Sequence, residues 1–202
     1  NTYLFRTQNP KPVIVDVGAN IGDTLLYFKT FYPSATIFCF EPNPAAFKML
    51  EKNVLANNFS DVHAYPVALG DSSSRVQMYD DSTGDHLVGS LNRDSLNKHS
   101  GRGKITSFEI EIKKASEISE LKEVEKIDYL KIDIEGSELA ALRGFGELLN
   151  KVRFIGIEYH MMNGDNGFDE IRTILERYGF NVSVFGDYRH AGEGSTVGNT
   201  FY

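Results

Sequence analysis

The chain has 202 residues, 41% of them hydrophobic and 24% charged, which suits one domain, residues 1–202, with a substantial core. A net charge of −7 counts against phosphate backbones as partners, so no nucleic acid is expected. No apolar run approaches the roughly 20 residues of a membrane-spanning helix, and a single cysteine, Cys39, excludes an internal disulfide and a cysteine-rich zinc site.

In chain order, short β-branched runs alternate with helical patterns, the signature of a mostly parallel sheet with helices on both faces. Val13 to Val17 reads as a strand, and Asp23 to Phe31 as a helix with Leu25, Leu26, Phe28 and Phe31 at apolar spacing. Thr36 to Phe40 is a second strand; Cys39 lies inside it and reads as a buried, inert thiol. With no signal-peptide pattern in view, a cytoplasmic location is expected. Pro44 to Asn57 is a helix, and Pro44 suits its first turn, where a missing N–H costs nothing.

Val62 to Tyr65 is a third strand. Arg75 to Tyr79 and Phe108 to Ile112 both alternate and predict a small antiparallel insert. The polar stretch Asp80 to Lys104 between them is long for a compact domain, a feature expected of a functional or mobile segment. Asp128 to Ile134 is a central strand and Ser137 to about Leu149 a helix. Val152 to Tyr159 is a strand and Phe168 to Tyr178 a helix. Asn181 to Phe185 and Val197 to Tyr202 close the sheet as an antiparallel pair. The fold class is therefore α/β, a Rossmann-like sheet of seven strands with a small β insert.

Four segments carry chemistry. Val15-Asp16-Val17-Gly18-Ala19-Asn20-Ile21-Gly22 runs from strand through a glycine turn into a helix, whose free N–H groups can receive an anionic group. Its Gly-x-x-x-Gly spacing does not match the dinucleotide pattern Gly-x-Gly-x-x-Gly. Glu41, ahead of Pro42, directly follows the second strand about 20 residues beyond the glycine loop, where an acid can accept both ribose hydroxyls. Asp133 and Glu135 in Lys131-Ile132-Asp133-Ile134-Glu135-Gly136-Ser137-Glu138 are two apart in what reads as extended chain, so they share a side. Glu138 reads as a helix-start acid with no further role. Glu158 and His160 are again two apart at the end of an apolar strand. Neighbouring strands of such a sheet open onto one crevice at their carboxyl ends, so Asp133, Glu135, Glu158 and His160 should converge there.

The set VDVGANIG, FEPNP, HAYPVALGD, KIDIEGSE and IEYH, in this order and spacing, resembles the FkbM family of methyltransferases, and Gly89-Ser90-Leu91 is a weaker matching segment. The resemblance runs from about Val13 to His160. It implies a class I methyltransferase fold, S-adenosyl-L-methionine as cofactor, and methyl transfer, often to a hydroxyl of a sugar or natural product. By position, Gly18, Asn20 and Gly22 then form the cofactor loop with Asp16 at its root. Glu41, with Pro42 beside it, binds the ribose. The main chain near Val67 and Ala68 borders the adenine, and Asp133 lies near the methionine end.

Methyl transfer to a hydroxyl needs close placement of the acceptor and removal of its proton, for which His160 or Glu158 is the best-placed base. A divalent cation held by Asp133, Glu135 and Glu158 is the less favoured alternative, and no metal is expected. Two rival classes stay open at this point: a nicotinamide-dependent oxidoreductase, against which the glycine spacing counts, and a non-catalytic cofactor-binding protein. The expected partner is a small-molecule acceptor.

Overall fold

The computed structural model describes residues 3–81, 89–90, 105–160, 167–185 and 198–201. Val13–Val17 forms β1 and Asp23–Phe31 forms α1. Thr36–Phe40 forms β2, Pro44–Ala56 forms α2 and Val62–Tyr65 forms β3. The start of α2 is fixed by Asn43, whose side chain accepts from the N–H groups of Ala45 and Ala46, with Pro44 in the first turn. Ala68–Leu69 is β4, Ser74–Asp81 β5, Gly89–Ser90 β6 and Ile105–Lys113 β7. After a short helix α3 (Ser119–Glu123) come β8 (Ile127–Ile132), α4 (Glu138–Phe145), β9 (Val152–His160) and α5 (Gly167–Arg177). The last elements are β10 (Val184–Phe185) and β11 (Gly198–Phe201).

The main sheet has seven strands in the order β10-β11-β9-β8-β1-β2-β3. The five strands β9, β8, β1, β2 and β3 pair in parallel, while β11 runs antiparallel to both its neighbours. Strand alternation splits the core between two faces. Val15, Val17, Leu130, Ile132, Ile155 and Ile157 pack with α4 and α5 on one face. Ile14, Ile37, Cys39 and Tyr129 pack with α1 and α2 on the other. The second face is completed by the N-terminal segment, whose Phe5 stacks on Tyr32 and Tyr129 with ring centroids 4.3 and 5.0 Å apart. Asp128 anchors that segment by accepting from Thr7 and Asn9 side chains and from the Val13 N–H.

The small insert is a second sheet in the order β4-β7-β5-β6, with β5 and β7 antiparallel from Ser74 against Ile112 to Asp81 against Ile105. Most of the polar stretch 80–104, Leu91 included, lies outside the described residues, as does the loop between β10 and β11. Two boundaries differ from expectation. Strand β8 stops at Ile132 rather than Ile134, because the chain turns left-handed at Glu135 (φ 54°) and Gly136 (φ 101°). Helix α4 stops at Phe145 rather than near Leu149; Gly146 takes φ 49°, and residues Gly146–Lys151 continue as a tighter 3-10 turn.

Candidate active site

The carboxyl ends of the parallel strands β1, β2, β8 and β9 lie along one edge of the main sheet, the edge at which a doubly wound sheet takes its ligands in a crevice. The turn after β1 forms its first wall. Gly18 has φ 81°, and a Cβ there would stand 1.9 Å from the Asp133 carbonyl oxygen, so only glycine permits the β1 turn to lie against the end of β8. The N–H groups of Gly18 and Ala19 both donate to the Phe40 carbonyl, tying the turn to β2. Asn20 is also left-handed, at φ 48°, and its side-chain Oδ1 is buried without a hydrogen-bond partner. Gly22 starts α1 with no side-chain cap, which leaves the helix's first N–H groups available.

Glu41 is 7% exposed. Its two carboxylate oxygens accept from the backbone N–H groups of Asn20 (2.9 Å) and Asn43 (2.8 Å), so one side chain holds the β1 turn and the start of α2 together. Burial pushes its carboxyl above the usual range, and the two N–H bonds partly offset that. Pro42 is half-buried beside it. Val67 is buried just before β4, and Ala68 pairs with Ile112. Asp16 has no exposed surface, and its carboxylate meets Lys131 Nζ at 3.0 Å. It lies behind the glycine turn rather than on the crevice wall.

The second wall gathers Asp133, Glu135, Glu158 and His160. One donor atom each from Asp133, Glu158 and His160 lies within 4.8 Å of the others. Glu135 joins them through Oε2, 3.7 Å from His160 Nε2, while Glu158 Oε1 is 4.0 Å from the same nitrogen. The shared side expected of Asp133 and Glu135 does not come from extended chain, since Glu135 is left-handed; the turn itself carries Glu135 to the imidazole. His160, Asp133 and Glu158 are donor types suited to a divalent cation. Lys131, 3.7 Å from Asp133 Oδ2, already supplies a positive charge to one of them.

Two residues that the sequence did not single out for chemistry complete the site. Glu138 is 1% exposed, and its Oε1 lies 2.9 Å from His160 Nδ1 while also accepting from the Gly136 N–H. It is more than a helix-start acid. The imidazole is thereby fixed with Nε2 toward Glu135 and Glu158. Burial works against the imidazolium, but the Glu138 hydrogen bond, followed by the charges of Glu135, Glu138 and Asp133, overrides it and raises the His160 pKa to about 9. Burial and Asp133 together raise the Glu158 carboxyl, against the pull of His160 and Lys131. Lys131 is the other addition; it opens the KIDIEGSE segment, but nothing in the sequence brings it to Asp16, which the fold does at 3.0 Å.

Among the described residues, no helix is long and apolar enough to cross a membrane. The model of the methyltransferase FkbM domain matches residues 16–182. The chain is 31% identical over 183 residues to Methyltransferase 1 of Beauveria bassiana (strain ARSEF 2860), covering 85% of this chain and 73% of that one. It is 28% identical over 177 residues to the 2-O-methyltransferase NoeI of Sinorhizobium fredii (strain NBRC 101917 / NGR234), covering 84% and 72% respectively. The crystal structure of an FkbM methyltransferase from Methylobacillus flagellatus KT shares the fold, with a TM-score of 0.63 at 19% identity. That match takes in 98% of this chain, which spans 45% of the other. The chain belongs to the FkbM family of S-adenosyl-L-methionine-dependent methyltransferases.

Proposed function

We propose that this protein O-methylates a hydroxyl of a sugar or other small natural product, with the Glu138–His160 pair acting as the base. The observation that carries the reading is the 2.9 Å contact between Glu138 Oε1 and His160 Nδ1, which leaves Nε2 as the one ring nitrogen turned to the carboxylate cluster. The 2-O-methyltransferase name of one relative points to the same acceptor atom.

The residues of the first wall fit the cofactor. Asn20 brings a buried amide oxygen without a partner, and α1 brings uncapped N–H groups. Glu41 keeps lone pairs beyond its two backbone bonds for ribose hydroxyls, with Pro42 beside it. The main chain of Val67 and Ala68 borders the adenine, and Asp133 takes the methionine end. Bound S-adenosyl-L-methionine supplies a methyl carbon made electrophilic by its sulfonium, so the acceptor oxygen gains the methyl and S-adenosylhomocysteine leaves.

His160 Nε2, when unprotonated, accepts the hydroxyl proton, and Glu138 stabilises the imidazolium so formed. Glu135, Glu158 and Asp133 orient acceptor hydroxyls by accepting their hydrogen bonds. On this route Lys131 supplies positive charge to Asp133, and the imidazole becomes cationic only once it has taken the hydroxyl proton. The test is S-adenosylhomocysteine release across a panel of neutral sugars and hydroxylated natural products. His160→Asn should lower turnover of a positive acceptor at least about a hundredfold while S-adenosyl-L-methionine affinity changes little. Full turnover in that variant refutes the base assignment.

A further inference from the structure

Lys131 lies in the buried strand β8 with 2% of its side chain exposed, beside Asp16 with none. Burying two charges is costly, and an apolar pair would fill the same space as well or better. Its ammonium carries three donors. They face Asp16 Oδ1 at 3.0 Å, the Gly18 carbonyl at 3.0 Å and Asp133 Oδ2 at 3.7 Å. The Tyr3 ring, its centroid 5.9 Å from Nζ, covers the ammonium from the N-terminal segment. A counterion for Asp16 alone would need only the first of these contacts. The other two reach the glycine turn and the end of β8, one on each wall of the crevice.

We propose that Lys131 is a positioning residue for the cofactor, setting the Gly18 carbonyl and the Asp133 carboxylate from behind, with Asp16 as its counterion rather than a direct ligand. The buried pair thereby links the glycine turn to the Asp133 side chain beyond the end of β8. Burial opposes the ammonium form of Lys131, but Asp16 and Asp133 outweigh it and favour the charged group.

This inference rests on the cofactor lying over the glycine turn, and the experiment separates the two. S-adenosyl-L-methionine binding is measured by titration calorimetry, with melting temperature and circular dichroism recorded for each variant. Glu41→Ala tests the placement and should weaken binding at least about tenfold. The double variant Asp16→Asn with Lys131→Met removes both buried charges together, so neither charge is left unpaired. It should fold and bind the cofactor at least about tenfold more weakly. Wild-type affinity in the double variant, with Glu41→Ala weakened, overturns the role of Lys131 alone. Wild-type affinity in both overturns the placement. If the double variant does not fold, Lys131→Arg keeps the charge but moves its donors. It should lose affinity at a near-normal melting temperature, and unchanged affinity there equally overturns the proposal.

Discussion

Replacing Glu138 by glutamine removes one negative charge while leaving an oxygen able to accept from His160 Nδ1 and from the Gly136 N–H, the two contacts of Glu138 Oε1. In the native site the imidazole rises from 6.5 to about 9. At about 1.4 kcal/mol per pH unit, the surroundings favour the charged ring by roughly 3 kcal/mol after the cost of burial. The Glu138 hydrogen bond is the largest of the upward contributions. Exchanging a charge-assisted bond for a neutral one forfeits about 1–1.5 kcal/mol, so the midpoint should drop by about one unit. The assay is a carbon-13 titration of the labelled imidazoles, with His160 assigned by its absence from His160→Asn; no acceptor is required. A native midpoint at the ordinary 6.5, or equal midpoints in the two proteins, refutes the reasoning. The sign for stability follows from the raised value: the contribution of His160 is fully present below about pH 6.5 and is lost as pH rises through about 9. In Glu138→Gln the loss should set in at lower pH.

Three further outcomes follow from the same geometry. Turnover of the native enzyme should climb with pH and level off near 9, the value to which His160 is raised; a profile flat from neutrality upward removes His160 as the base. Gly18→Ala puts a Cβ 1.9 Å from the Asp133 carbonyl at a φ of 81°, so it should cost about 1–3 kcal/mol of stability and sharply weaken cofactor binding; calorimetry showing native affinity would contradict the close approach of the two walls. Extended dialysis against a chelator should leave turnover intact, and recovery of lost turnover on adding Mg²⁺ or Mn²⁺ would replace the base mechanism with a cation held by Asp133, Glu158 and His160.

Much of the frame is legible in the sequence because it depends on local pattern. The runs Val13–Val17, Thr36–Phe40 and Val62–Tyr65 are apolar or β-branched and bounded by turn residues, and their strands begin and end where the pattern does. The antiparallel pairing of β5 with β7 was visible as alternation. The end of α4 was not, because apolar residues continue through Leu148 and Leu149 while the glycine before them changes the backbone. In the site, motif spacing locates Asp133, Glu135, Glu158 and His160 at neighbouring strand ends. It cannot separate a helix-start acid from a histidine partner, and Glu138 is both in position and buried. Asp16 shows the converse. Strand alternation alone turns it to the face of Cys39 and Tyr129, where Lys131 rather than the crevice receives it. That pairing is a tertiary fact between residues more than a hundred positions apart.

The small sheet is joined to the large one at a point with no slack. Gly70, just past β4, donates its N–H to the Lys113 carbonyl at the end of β7, and its own carbonyl lies where a Cβ on Gly144 would come within 1.9 Å. Gly144 belongs to α4, the helix whose first turn carries Glu138. The small sheet therefore lies directly against the helix that carries Glu138, and a side chain on Gly144 would have to push the two apart.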